Sequence, residues 1–297
     1  MIKVTGGLTP CHFFKWFWMK RRRLRGHQGG IIMKIGFIGL GNMGGAIIGG
    51  IIKSGLFAAS DIYGSDKSTE MAQTVKDKYQ INICKDNIEL AKKVDILILA
   101  IKPVFAQDVI REIAKATPEQ TLIISIMAGK TIDFIQKCFG SDKAKIIRTM
   151  PNTPALVGEG CTAISPNANV SEEETELALK IMRSFGKASI VPERLMDAVC
   201  ALSGSSPAFV FMFIEALADA AVQCGMPRAQ AYMFAGQTVM GSAKLLLETG
   251  RHPGDLKDMV SSPGGTTIEG VKVLEEKGFR GAVIDAVVAA CEKSSKL

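Results

Sequence analysis

Three glycines, at 39, 41 and 44 in the stretch IGFIGLGNMG (35–44), have the spacing of a turn that cradles a pyrophosphate. Gly39 would make the tight turn and Gly41 would let the backbone approach the phosphates. Gly44 would allow close packing of the following helix on its strand, and that helix offers free N–H groups and a positive dipole end to an anion. A second group lies 20 or so residues on, in Gly64-Ser65-Asp66-Lys67-Ser68. Asp66 could accept from the 2′-hydroxyl of an adenosine ribose, as in NAD, whereas Ser65, Lys67 and Ser68 could bind the 2′-phosphate of NADP. These two signals conflict, and each residue could equally be a solvated loop residue.

Other segments carry chemistry of a different kind. ILAIKP places Ala100, Lys102 and Pro103 at the carboxyl edge of a strand, where ligands bind in open α/β sheets. TMPNTPALVGEG crowds proline and glycine around Asn152, a rigid extended stretch suited to one wall of a nicotinamide pocket, or to a plain connection. KDMVSSPGGTTIEG sets small hydroxyl residues, a proline and a glycine pair directly before a helix. Free N–H groups there, with Ser and Thr hydroxyls beside them, would hold a small carboxylate. The alternative is a capped turn joining two helices.

Alternating elements must position these residues. KIGFI, DIYGS, INIC, DILILA, TLIISI and KIIRT read as strands. Helices are expected from the glycine turn to Gly55, after DIYGS to about 78, and near 87–93, 104–116 and 131–139. Runs as apolar as DILILA are those of parallel strands covered on both faces. CTAIS and ASIVP, flanking a helix at about 171–185, could extend the sheet. After Pro192 no convincing strand follows. Helices are expected at about 193–202, 207–224, 227–249, 255–260, 266–277 and 281–294, with Ser206-Pro207 as a helix start and Gly225 and Gly250 as helix ends. The fold class is therefore α/β: a doubly wound, Rossmann-like dinucleotide-binding domain over 33–192, then an all-α domain over 193–297. A helical domain this apolar is expected to pack on another subunit. PAFVFMFIEALADAAVQCG is interrupted by Glu215 and Asp219, and reads as a buried helix and not a membrane span.

The net charge of +7 suggests a polyanionic partner only until it is located. Residues 1–32 hold seven of the 36 basic residues and no acidic one, leaving 29 basic against 29 acidic residues beyond them. No nucleic-acid or membrane partner is expected. The order of aromatic cluster and then basic run in 1–32 is wrong for a secretory signal, and a mitochondrial presequence would contain Ser. Gly29-Gly30 can be encoded by a purine-rich ribosome-binding sequence ahead of a start at Met33. Residues 1–32 are accordingly expected to be a leader, non-native or disordered. The seven cysteines are scattered without a CxxC, which argues against zinc and dithiol chemistry and fits a cytoplasmic protein.

Taken together, GFIGLGNMG, AIKP, IRTMPNTPALVGEG, ALSGSSPAF and HPGDLKDMVSSPGGTTIEGVKVLE closely resemble pyrroline-5-carboxylate reductase. The resemblance runs from Met33 to Leu297. It implies hydride transfer from NADPH or NADH to the imine carbon of 1-pyrroline-5-carboxylate, giving L-proline, in the last step of proline biosynthesis. It further implies that Ser262, Gly264, Gly265 and Thr266 hold the substrate carboxylate, with the Thr267 hydroxyl at the ring nitrogen as the catalytic contact. The cofactor would lie along Gly39, Leu40, Gly41, Asn42, Met43 and Gly44, the loop Ser65, Asp66 and Lys67, and Asn87. Its nicotinamide would lie near Ala100, Lys102, Pro103 and Asn152. Many relatives carry Asn-Arg where this chain has Asp66-Lys67, so the usual NADPH preference is not implied here. No metal is expected; the partner is a second copy in an interlocked dimer, with a larger ring such as a decamer beyond it.

The residues that are missing agree. A protonated imine already accepts hydride well, so positioning and desolvation matter more than a strong acid. A β-hydroxyacid dehydrogenase of the 3-hydroxyisobutyrate type, which has a similar glycine turn, would carry a catalytic Lys on the long helix, and 207–223 contains none. A non-catalytic nucleotide sensor would not need the SSPGG turn.

Overall fold

A computed structural model describes residues 33–296; the leader expected over 1–32 lies outside the described residues. Eight strands form one sheet in the order β3-β2-β1-β4-β5-β6-β7-β8. They are β1 (Ile35–Ile38), β2 (Ile62–Ser65), β3 (Asn82–Ile83), β4 (Ile96–Leu99), β5 (Leu122–Ser125), β6 (Lys145–Met150), β7 (Gly160–Pro166) and β8 (Gly186–Ile190). The first six are parallel, β7 runs antiparallel to β6, and β8 is parallel to β7. CTAIS and ASIVP thus do extend the sheet. The nine residues between β6 and β7 are too few for a full crossover, so the strand returns antiparallel.

Side-chain alternation explains the continuous apolar runs. Ile35, Phe37, Ile96 and Ile98 enter a core beneath α1 (Asn42–Ser54) and α6 (Glu172–Arg183), while Ile38, Leu97 and Leu99 enter the opposite one beneath α4 (Ala106–Ile113) and α5 (Ile132–Phe139). The central strands β1, β4 and β5 are buried at every position, whereas the edge strands β3 and β8 are partly exposed. Polar residues start the helices: Ser68 caps α2 (Thr69–Tyr79), Asp86 caps α3 (Asn87–Lys93), Thr131 caps α5, and Ser171 with Glu174 forms a capping box on α6.

Beyond β8 the chain is helical: α7 (Glu193–Gln223), α8 (Arg228–Thr249), α9 (Pro253–Met259), α10 (Thr266–Glu276) and α11 (Phe279–Ser294). The expected start at Ser206-Pro207 is not one. Helix α7 runs continuously through it, as a 3-10 turn, a short α segment, a π-helix at Cys200–Ser205 and a long α segment from Ser206. Proline is tolerated because the π-segment has already shifted the hydrogen-bond register there. Gly225, two residues beyond α7, and Gly250, which caps α8, have positive φ as expected of helix ends.

The expectation of a buried helix at 207–224 also changes. Of Ser206–Gln223 only Ala218 is buried within one chain, and Phe211, Met212 and Phe213 are exposed. The core between α7 and α8 consists of Ala218, Ala231 and Ala235. By length and composition α7 could also cross a membrane, with a mean hydropathy of 1.5 over its most apolar stretch. Its acidic Asp219 is paired with Arg228. Arg148, buried on β6, joins the two halves by donating to Glu193 Oε1 (3.1 Å) at the start of α7, and the same oxygen accepts the Ile132 N–H of α5 (2.8 Å).

Candidate active site

The glycine turn lies between β1 and α1, and its geometry separates the three glycines by role. Gly39 has φ +96°, and a Cβ there would lie 2.4 Å from the Ala100 carbonyl oxygen. A Cβ at Gly44 would stand 2.5 Å from the Gly39 carbonyl oxygen, so α1 closes on the turn only because that atom is missing. At Gly41 a Cβ would meet nothing within 4 Å. Two glycines are required by the fold, and the third leaves a space at the N-terminus of α1. Gly41 caps that helix without a side-chain bond, so the first-turn N–H groups around Asn42 and Met43 have no cap to satisfy them. A dinucleotide pyrophosphate fits this cradle in charge and shape.

Around the cradle the strand ends are cross-linked. Gly39 N–H donates to the Ser65 carbonyl (2.9 Å), and Leu40 N–H donates to Asp66 Oδ2 (2.8 Å). The other carboxylate oxygen accepts the Ser68 N–H (2.9 Å). Asp66 therefore ties the β2 loop to the glycine turn, whatever it also does for a ribose. Ser65 is buried, and its hydroxyl donates to Asn87 Oδ1 (2.9 Å), while Asn87 Nδ2 donates to Glu112 Oε2 (3.0 Å). Ser68 is occupied as the α2 cap. The Lys67 ammonium lies 4.4 Å from the centre of the Phe105 ring, a cation–π contact that draws it towards the turn after Pro103. Lys102 is exposed and precedes that turn.

The sheet edge thus collects residues 39–44, 65–67, 87 and 100–103. Asn152 follows β6, with its side chain engaged at both ends: Oδ1 accepts the Cys161 N–H (2.8 Å), and Nδ2 donates to the Ser203 carbonyl in the π-segment of α7 (3.0 Å). Sequence reasoning missed Phe105, Glu112, Arg148 and Glu193. Only Arg148 left a signal, as a charge inside the apolar run KIIRTM.

The SSPGG turn stands apart. Gly265 N–H donates to the Ser262 carbonyl (3.1 Å), with Pro263 and Gly264 between them and Gly264 at φ +68°, the pattern of a type II turn. Gly265 caps α10 without a side-chain bond. A Cβ on it would lie 2.5 Å from Ser262 Oγ. The turn's remaining bonds are local, Ser261 N–H to the Asp258 carbonyl and Ser261 Oγ to the Lys257 carbonyl. Ser262, Gly264, Thr266 and Thr267 are exposed, and α10 packs on α11. Within one chain the donor array of α10 is formed but uncovered. Exposed Met259, Val260, Ile268 and Val273 surround it with apolar surface.

Comparison with known proteins gives this arrangement its relatives. Residues 193–297 match the family model for pyrroline-5-carboxylate reductase dimerisation, and residues 34–129 match that for NADP oxidoreductase, coenzyme F420-dependent. The pyrroline-5-carboxylate reductase of Escherichia coli (strain K12) is 54% identical over 264 residues, covering 89% of this chain and 98% of the relative. That of Methanosarcina acetivorans is 44% identical, over 89% of this chain and 97% of its own. Among solved structures, a pyrroline-5-carboxylate reductase from Coxiella burnetii superposes with a TM-score of 0.84 at 35% identity, covering 90% of this chain and 98% of its own. The Plasmodium falciparum pyrroline carboxylate reductase, solved with NADP bound, gives 0.81 at 35% identity, covering 90% and 99%. With a glycine cradle at one end of the fold, an uncapped SPGG turn at the other, and relatives of this identity spanned almost whole, the chain belongs to the pyrroline-5-carboxylate reductase family.

Proposed function

We propose that the protein reduces 1-pyrroline-5-carboxylate to L-proline with NADPH or NADH, the last step of proline biosynthesis. The observation that carries this reading is the pairing of a cradle left open at Gly41 with a second donor array at Gly265. One suits a dinucleotide and the other a small carboxylate. Reduced nicotinamide supplies the hydride when bound.

The chain's own residues do the rest. Leu40 to Gly44 and the N-terminus of α1 hold the pyrophosphate, while Ser65, Asp66, Lys67 and Asn87 lie where the adenosine end would extend. Ala100, Lys102, Pro103 and the segment at Asn152 wall the nicotinamide end. On α10, the backbone N–H groups beside Ser262, Gly264, Gly265 and Thr266 bind the carboxylate, and Thr267 donates its hydroxyl to the ring nitrogen. That nitrogen loses its formal charge and gains a lone pair as the imine is reduced, so a donor aimed at it strengthens its bond as the reaction proceeds.

The exposed apolar faces of α7, α8 and α10 fit a second copy of the chain. We assign the interlocked dimer as the unit that covers the SPGG turn, with a ring such as a decamer as a further assembly. The six cysteines of the described residues are free, which accords with a cytoplasmic setting. Oxidation of NAD(P)H followed with pyrroline-5-carboxylate, and proline identified as the product, tests the reading. Absence of turnover with both cofactors would reject it.

A further inference from the structure

Helix α7 changes its hydrogen-bond register where it leaves the sheet. In the π-segment Cys200–Ser205, N–H groups reach back five residues instead of four. Pro207 follows at once and has no N–H. In that register the N–H of residue 207 would have served the Leu202 carbonyl, so the break in the helix ladder falls beside Ser203. Neighbouring carbonyls are served from within the helix: Ser203 Oγ donates to Val199 (2.9 Å), Ser205 Oγ to Cys200 (3.3 Å) and Ser206 Oγ to Ala201 (3.3 Å). The Ser203 carbonyl is served from the sheet domain, by Asn152 Nδ2 at 3.0 Å. Asn152 is 9% exposed, and its Oδ1 is held by Cys161 N–H at 2.8 Å, so the carboxamide bridges the head of β7 and the helix in one orientation. Met150 packs at the same place: a Cβ on Gly204 would lie 2.9 Å from its Cε.

We propose that Asn152 is a positioning residue for hydride transfer. By bonding the Ser203 carbonyl beside the break in the helix ladder, its carboxamide fixes how α7, and with it the helical half, departs from the nicotinamide end of the sheet. Asn152 sits two residues beyond β6, between the wall at 151–158 and the helix that leads to the substrate turn. Each end of its side chain already has a protein partner, so its effect on the reaction passes through the helix. Reacting atoms must approach within about 3–3.5 Å, and a misplacement of about 1 Å can cost roughly 100-fold in rate.

The kinetic part rests on the reductase reading proposed above. The test compares wild type with Asn152→Asp, which keeps an acceptor for Cys161 N–H and removes the donor to Ser203. The variant should lower kcat by about 10- to 100-fold while leaving the Kd for NAD(P)H unchanged. Should Asn152→Asp not fold, Asn152→Ala is read in the same way. An unchanged kcat would overturn the proposal. So would a loss seen wholly as weakened cofactor binding, which would make Asn152 a direct cofactor contact. A wild type without turnover would sink the reductase reading instead. The bond would then be judged on the melting temperature of Asn152→Asp, and an unchanged value would overturn it.

Discussion

Replacing Gly41 by Ala should abolish tight cofactor binding in a protein that folds normally. The backbone at Gly41 has φ −67° and ψ −168°, which alanine adopts without strain, and its Cβ would meet nothing within 4 Å. Alanine is a poorer N-cap than glycine by about 1 kcal/mol. Restricting the unfolded chain returns about 0.4–1 kcal/mol. The two nearly cancel, so the melting temperature should move by no more than about 2–4 °C. The methyl group would, however, fill the cradle where a phosphate oxygen must reach the N–H groups of α1. Losing one hydrogen bond to a charged group costs about 1.5–3 kcal/mol, or about 10- to 150-fold in Kd. Gly44→Ala is the internal contrast. Its Cβ would stand 2.5 Å from the Gly39 carbonyl oxygen, a backbone atom that cannot swing aside. Overpacking of this kind costs about 1–3 kcal/mol and should appear first as a lower melting temperature. Thermal melts and fluorescence titration with NAD(P)H separate the two. A Gly41→Ala protein that binds like wild type, or that melts far below it, would refute the division of the three glycines by role.

Three further outcomes are expected. Asp66→Asn removes a charge proposed to lie beside the 2′-position of the ribose and should raise kcat/KM for NADPH relative to NADH by about threefold, the worth of a unit charge at about 6 Å in a water-like dielectric; an unchanged ratio would leave Asp66 only its bonds to Leu40 and Ser68 N–H. Thr267→Ala should lower kcat by about 10- to 150-fold with cofactor affinity intact, and Thr267→Ser should keep much of the rate; equal loss in both would point to packing by the methyl group. Glu193→Leu strands the buried Arg148 and should cost about 3 kcal/mol, the lower end for a broken buried pair because Glu193 is partly exposed; calorimetry without a fall in melting temperature would contradict that.

Much of the sheet was legible because its physics is local. Runs such as DILILA are apolar at every position only when both faces are covered, and β4 is buried at all four positions. The roles of Gly39 and Gly44 followed from a turn whose constraints lie within ten residues of chain, apart from Ala100. The course of α7 was not legible. Ser206-Pro207 has the local chemistry of a helix start, and the register shift at Cys200–Ser205 that carries the helix through it, beside a bond from Asn152 on another element, has no local signature. The position of Asp66 suggests a ribose contact or a loop residue, but its bond to the Leu40 N–H forms only after β1 and β2 have paired and leaves no local signal. The apolar composition of the helical half pointed to packing on another subunit, but not to which faces, the SPGG turn and α7 among them, a single chain leaves uncovered.

The small alanine core between α7 and α8 bears on how the protein is made. The sheet buries two large cores within residues 35–190 and is synthesised first, so its collapse is a first-order event for a single nascent chain. In the proposed dimer the helical half gains most of its apolar burial only when another chain arrives, so its completion would be second order in protein concentration. A newly made molecule would then pass through a stage at which it can hold nucleotide yet cannot turn over substrate. In refolding, dilution should delay the return of activity while leaving the return of cofactor fluorescence unchanged, and gene dosage would set the length of that interval in the cell.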